Sequence, residues 1–590
     1  MVAMIDWRSG LLGLGLLGSG LVLSTVACRP AETTTAPAAV PAIPGRAEAP
    51  AASAAAQPAA VGTPSDPKFK YGGRLIYRNH KVFKALADFD PHREPPGTSG
   101  GVLRRTTAIY NGIFEWPNHP YGPSQGFICD LCESWKQIND TTYEIKLRQG
   151  VKYQNLPPVN GREFTAEDVV FNFKRIAQDG PSYHSSDKLE DLKSVETPDK
   201  YTLRITLKEF NPLFLLGLGD PFMAMLPKEI LDKDDKVTYP VGTGPFMLKD
   251  AKDFVPSSRE LLFKNPDYWR KGEGLPYVDE FENILIVDND AGFDAIMTGQ
   301  VHEGHQSLSE DHADILRKDS RFVLTEAVRD SGTGTSFNLA AKPVDDVRVR
   351  RAMHLATDRQ EMISTIYRGN AFIYRFVGPA NGDYATPQED TAKRPGWRQP
   401  KDQDVAEAKK LLTEAGFPNG FKLPTIVSKS IDHEKFALIS QQQMRKYLNI
   451  DLALEPLEMG LANQRVRLEQ NYVFTFSSAS VADGLLDPTV NFHNWAANDP
   501  HNESRYNNAD YERLLEQLRR ETDKPKRIAM TRQMEDLLER DVPSISLAQN
   551  YRYRAWPKFV HGLSGESGAG DTGRWIRQVW LECGNAKGCQ

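Results

Sequence analysis

Apolar and polar residues alternate in two short stretches of this chain, and each alternation predicts a half-buried strand. Tyr143, Ile145 and Leu147 are separated by polar residues, and Tyr201, Leu203, Ile205 and Leu207 alternate with Thr202, Arg204 and Thr206. An earlier strand begins after a glycine turn, at Gly72-Gly73-Arg74-Leu75-Ile76-Tyr77, and Leu86–Pro91 ends in a Phe-Asp-Pro turn. Between the two alternating stretches, Thr165-Ala-Glu-Asp168 has the form of a capping box and opens a helix through Val169–Ile176. Further along, the period lengthens. Val349, Ala352, Met353 and Ala356 share one helical face, continued by Ile363 and Ile366, with Pro343 before the helix and Gly369 at its stop. A second helix runs from Asp404 through Val405, Ala408, Leu411, Leu412 and Ala415 to Gly416, and others are predicted near Asp510–Arg520 and Lys526–Glu539. Strands and helices thus alternate, without tandem repeats, in a large mixed α/β protein.

The N-terminus has a different pattern. Arg8 precedes the glycine- and leucine-rich run Leu11–Leu23, which is short for a bilayer span, and small residues lead to Cys28. Thr25-Val-Ala-Cys28 resembles a bacterial lipobox, with Thr25 where that pattern has leucine. Residues 1–28 are therefore expected to be a lipoprotein signal sequence, with lipid on Cys28. Residues 29–68 are dominated by Ala, Pro, Thr and Ser and are expected to form a disordered tether. Extended at about 3.1 Å per residue, such a tether would reach on the order of 100 Å. No later run is long and apolar enough to span a membrane, which places the body outside the cytoplasm, in the periplasm or at the cell surface.

At 590 residues the chain is too long for one compact core. Its net charge of −6 argues against an electrostatic nucleic-acid binder. Besides Cys28 there are four cysteines, Cys129, Cys132, Cys583 and Cys589. An even count in an exported chain suggests structural disulfides, with three possible pairings. Cys583 and Cys589 would make a local loop. Cys129-Asp-Leu-Cys132 has the spacing of a redox or metal motif but lacks the βαβ surroundings.

The segment Tyr239-Pro-Val-Gly-Thr-Gly-Pro-Phe246 packs two glycines and two prolines into eight residues. It must be a tight bend, with Gly242 and Gly244 free to take positive φ. Val241–Phe246 resembles a segment of the extracytoplasmic solute-binding proteins of ABC importers, in the peptide/nickel-binding family. Other blocks follow in that family's order. Leu131–Gly150 resembles its Leu-x-x-Ser-Trp block with the strand after it, and Phe164–Arg175 its next helix start. Asn265-Pro-Asp-Tyr-Trp269, Leu275–Asp279, Met297–Val301, Phe337–Leu339, Asp345–Ala352 with Asp358-Arg359, and Leu411–Gly420 complete the series.

The resemblance implies a two-lobed Venus-flytrap fold with an extra subdomain on lobe one. Lobe one would comprise 69–105, 240–335 and 546–590, the extra subdomain 106–239, and lobe two 336–545, with crossing strands as hinges. It implies a monomer without cofactor or catalysis, which takes a solute to a membrane permease and ATPase; an oligopeptide is the first expectation, with opines, oligosaccharides, other amphipathic small molecules and metal complexes as alternatives. Peptide-binding members hold the ligand's amino group with an aspartate. The matching stretch here, Ala482-Asp483-Gly-Leu-Leu-Asp487-Pro488, offers Asp483 first and Asp487 second, although Asp487-Pro488 also reads as a simple turn. Serines 477, 478 and 480 stand where some members carry an aromatic residue. Trp495 is a candidate cleft wall or core residue, and Tyr110 and Asn111 match the cleft edge of lobe one.

Rival chemistry is thinner. His302, Glu303 and His305, with His312 beyond, could be metal ligands or surface residues. Arg348, Arg350 and Arg351 read as a solvated helix face or salt bridges. Gly13–Gly18 fits GxGxxG but lies in the signal sequence. Asp330-Ser-Gly332 and Asp571-Thr-Gly573 resemble paired aspartic-protease turns, giving an exported hydrolase as the alternative, but no apolar strand precedes either acid. A ligand sensor serving a receptor is the other alternative.

Overall fold

In the computed structural model, the described residues are 66, 68–79, 83–93, 105–116, 126–177, 187–304, 308–328, 332–429, 431–477, 487–499, 502–563 and 573–582. All of them fall in the larger of two compact units, 55–590. The expected signal sequence, tether and Cys28 lie outside the described residues.

The first half is built on a six-stranded mixed sheet. Arg74–Asn79 runs parallel to Glu280–Leu285 on one side and Glu303–Gly304 on the other, and Arg259–Lys264 pairs antiparallel with Glu280–Leu285. A separate four-stranded antiparallel sheet contains both strands predicted from alternation, Thr142–Leu147 and Thr202–Leu207, paired with each other. Their inward residues Ile145, Leu203 and Ile205 are fully buried and share a core with Val169, Phe173 and Ile176 of the Ala166–Ala177 helix. Cys129 and Cys132 form a disulfide at the entry to this sheet, with Cα atoms 4.9 Å apart; Cys583 and Cys589 lie outside the described residues.

The second half has its own seven-stranded sheet. In order it contains Phe322–Val328, Ser546–Pro557, Thr333–Phe337, Phe474–Ser477, Lys422–Ser428 and Asp451–Leu457, and Ala371–Phe372 also pairs with Ser546–Pro557. The helix expected from Val349 to Ile366 is two helices, Val347–Ala356 and Arg359–Tyr367. The break has a local cause: Thr357 is extended, and the Asp358 carboxylate accepts hydrogen bonds from the Gln360 and Glu361 amides, capping a new helix. The apolar residues stay in phase across the break, so their spacing did not reveal it.

The strand Ser546–Pro557 belongs to both halves. Leu547 and Ala548 lie in the core of the second half, Ala555 packs with Phe293, Ile296 and Val301, and Trp556 joins the first core. Arg554 on this strand makes a buried ion pair with Glu303 of the first sheet. Its antiparallel neighbour Phe322–Val328 accompanies it along the crossing.

Candidate functional site

The 239–246 bend wraps around the backbone of Ile109–Asn111. The Gly244 amide donates to the Ile109 carbonyl at 2.7 Å, and Gln154 holds the bend through Gly242 and Phe246. Neither Gly242 nor Gly244 has positive φ, contrary to the expectation. Glycine is needed for a different reason. A Cβ on Gly242 would overlap the Ile109 carbonyl and come within 2.7 Å of Tyr110 Cδ1, and one on Gly244 would lie 2.5 Å from the same carbonyl oxygen. The bend is a close backbone crossing.

Tyr110 and Asn111 lie inside this joint, both fully buried. The Asn111 amide donates to Asp130 at 2.9 and 3.2 Å, and its oxygen accepts from Thr243 at 3.0 Å and Trp269 at 3.4 Å. Tyr110 sits in the first core. Burial, helped by the charge of Asp90, holds its phenol pKa well above the usual value. Beside it, Arg175 pairs with Asp90 at 2.6 Å, and burial and the Arg175 charge hold His92 down at about 4.

Asp487 caps the Pro488–His493 helix through the Thr489 amide at 2.9 Å. Both its carboxylate oxygens accept from the Arg527 guanidinium, at 2.7 and 2.6 Å. Arg527 is itself nearly buried and also donates to Thr489 Oγ1 and to the carbonyls of Leu518 and Glu521. This is a structural ion pair, in line with the turn reading of Asp487-Pro488. Trp495 is 2% exposed and stands edge-on to Phe376, ring centroids 5.4 Å apart, in an aromatic cluster with Phe492, Tyr506 and Tyr511. Asp483, Asp330, Asp571 and His305 lie outside the described residues.

The histidine-rich stretch is engaged in packing. His302 Nδ1 faces the Ile76 amide at 3.2 Å, Glu303 pairs with Arg554, and His312 stacks on Phe293 and faces Asp290 at 3.2 Å. Among the described residues no group of three His, Cys, Asp or Glu could hold a metal ion. Arg348 pairs with Asp346, as a salt-bridged face would have it. Arg350 instead is buried, donating to the carbonyls of Val344, Asp345, Asp541 and Val542.

The Pro488–His493 helix marks where the two halves meet. Thr489, Val490 and His493 face Leu213, Phe214 and Gly217 of the first half across a crevice of about 70 Å³. At its rim, Arg519 pairs with Glu190 and, at 3.0 Å, with Asp191, while Arg520 pairs with Glu209. Asn211 steadies Asp191 at 2.9 Å. Both arginines end the Ala509–Arg520 helix, and all three acids belong to the first half. Sequence reasoning passed over them because terminal arginines on an amphipathic helix read as complements to its dipole. A larger cavity of about 640 Å³, lined by Glu133, Arg148, Lys152, Asp267 and Trp269 among others, belongs to the first half alone.

The family model for bacterial extracellular solute-binding proteins, family 5 Middle, matches residues 126–503. Heme-binding protein A of Haemophilus influenzae is 27% identical over 513 residues, covering 81% of this chain and 88% of that protein. Glutathione-binding protein GsiB of Salmonella paratyphi A is 27% identical over 449 residues, 73% of this chain and 82% of its own. In fold, the chain is similar to the periplasmic binding protein DppA of Helicobacter pylori in complex with the peptide STSA. That match has a TM-score of 0.73 at 24% identity and covers 87% of this chain and 99% of the other.

Proposed function

This chain belongs to family 5 of the bacterial extracellular solute-binding proteins, and from that membership we propose that it is the lipid-anchored receptor of an ABC importer, capturing an oligopeptide between two closing lobes. Proteins of this family are extracytoplasmic binding proteins, not enzymes, and work with an ABC permease and ATPase. Among the described residues no helix is long and apolar enough to cross a membrane.

The observation that carries the reading is the crossing pair of strands. Ser546–Pro557 and its neighbour Phe322–Val328 connect two separately cored halves, and such a connection can bend without disturbing either core. A solute that touches both halves favours the closed arrangement by its extra contacts there. Lobe one is assigned 69–105, 240–335 and 546–590, the extra subdomain 106–239, and lobe two 336–545, with the crossing strands Phe322–Val328 and Ser546–Pro557 shared between the two lobes. Asp487 is already committed to Arg527, so the acid assigned to a ligand ammonium is Asp483. Trp495, packed on Phe376, is assigned to backing the cleft wall, and Cys28 with the following tether would keep the body near its permease.

Mass spectrometry of the solute released from protein purified without denaturation tests the reading. A peptide is the expected result. A non-peptide solute at full occupancy would overturn the peptide assignment while leaving the receptor role intact.

A further inference from the structure

Two guanidinium groups lie over the Trp269 ring, and one of them has no counter-charge. The central carbons of Arg148 and Arg270 stand 5.0 and 5.5 Å from the ring centroid. Arg270 is neutralised, donating from Nε and Nη2 to the two carboxylate oxygens of Glu273 at 2.9 and 2.7 Å. Arg148 donates from Nε to the Asp130 carbonyl at 2.9 Å, and among the described residues its terminal nitrogens have no hydrogen bond or ion pair.

The free edge of Arg148 is held in place from behind. Arg148 follows the Thr142–Leu147 strand, and its amide donates to the Leu131 carbonyl at 2.9 Å. Backbone and Nε are therefore both tied to the Asp130-Leu131 turn, which the Cys129–Cys132 disulfide closes. Trp269 reaches the same anchor. Its indole donates to Asn111 at 3.4 Å, and Asn111 donates to Asp130. Ring and guanidinium are thus positioned before any ligand arrives, which lowers the ordering cost of binding.

Both residues line the cavity of about 640 Å³ in the first half, together with Glu133, Lys152, Asp267 and Lys271. The last four are exposed, so the cavity opens to solvent. Its size lies within the range of about 300–1,000 Å³ typical of small-molecule sites and exceeds what an inorganic ion needs. Three cations face two acids there, in a chain whose net charge is −6. Lys271 already lies 3.6 Å from Asp267. Lys152, like Arg148, has no acidic partner among the described residues. None of the six belongs to the second half, so this cavity is separate from a cleft between the lobes.

We propose that this cavity is a second ligand site, in which the Arg148 guanidinium holds the carboxylate or phosphate of a small organic anion and Lys152 adds charge at the mouth. Two parallel N–H donors on a planar, permanently charged group match the paired oxygens of either anion. The site does not depend on which solute the lobes capture.

Calorimetric titration with succinate and, separately, with glycerol 3-phosphate tests it, on protein already loaded with its own solute. The expected result is binding of at least one probe, the one that binds naming the anion. Arg148→Gln should weaken that binding about ten- to hundredfold, the loss of a charge-assisted hydrogen bond, and Lys152→Gln about two- to fivefold. Should Arg148→Gln fail to fold, Arg148→Lys keeps the charge and removes the paired donors, and a loss of about three- to tenfold is expected. Capture of the protein's own solute should be unchanged in the folded Arg148 variant. Binding of neither probe, or unchanged affinity in a folded Arg148 variant, would overturn the inference. So would binding by stripped protein that disappears on loading, which would put the anion between the lobes.

Discussion

Reversing the charge of Arg519 and Arg520 together (Arg519→Glu with Arg520→Glu) is expected to weaken solute binding by about tenfold. The two arginines meet Glu190, Asp191 and Glu209 of the first half, and their side chains are 20% and 37% exposed. Partly exposed pairs of this kind contribute about 0.2–1 kcal/mol each. Three such contacts come to about 1–2 kcal/mol, with some repulsion added by the reversed charges. If these contacts form only when the halves meet, their whole contribution enters the closing equilibrium, and about 1.4 kcal/mol is tenfold in affinity. The loss should appear mainly as faster release. Salt supplies the control. Raising it from about 0.15 M to about 1 M shortens the screening length from about 8 Å to about 3 Å, so wild-type affinity should fall while that of the variant, relieved of its added repulsion, rises, and the two converge. The assay is calorimetric titration of stripped protein with the solute released from the wild type. Equal affinity and equal salt dependence in the two proteins would refute the reasoning that these pairs report closure.

Gly242→Ala is expected to destabilise the fold by at least about 1–3 kcal/mol, seen as a lower melting temperature, because the new methyl would collide with the Ile109 carbonyl. Asp487→Asn should lower the melting temperature by leaving the nearly buried Arg527 guanidinium without its counter-charge. Burial pushes the Glu260 carboxyl up to about 7, against the opposing pull of Arg105 and the Asn283 hydrogen bond and with a small push from Asp88. Its folded value lies above the unfolded one of about 4.3, so its contribution to stability is full below about pH 4 and is lost as pH rises to about 7. Chemical denaturation across that window should therefore show a steeper fall in stability for the wild type than for Glu260→Gln; parallel profiles would contradict the assignment.

The strands at 142–147 and 202–207 were legible because a sheet with one buried face writes its period directly into residues such as Ile145 and Leu203. The 239–246 bend was recognisable, but its cause was not. The Ile109 carbonyl that forbids a side chain at 242 is far away in sequence, and nothing in Val-Gly-Thr-Gly-Pro-Phe names it. The break at Thr357 was readable from Asp358, a good cap, yet the unbroken apolar spacing concealed it. For the site, sequence matching found the Asp487 region but not its partner, because Arg527 lies 40 residues on in another helix.

The central claim is capture by closure of two lobes about the crossing strands. Small-angle X-ray scattering tests it most directly, on the protein stripped of solute and again after its own released solute is restored. The account predicts that the radius of gyration falls on reloading and rises on stripping. An unchanged radius, with full occupancy shown by calorimetry on the same samples, would contradict it.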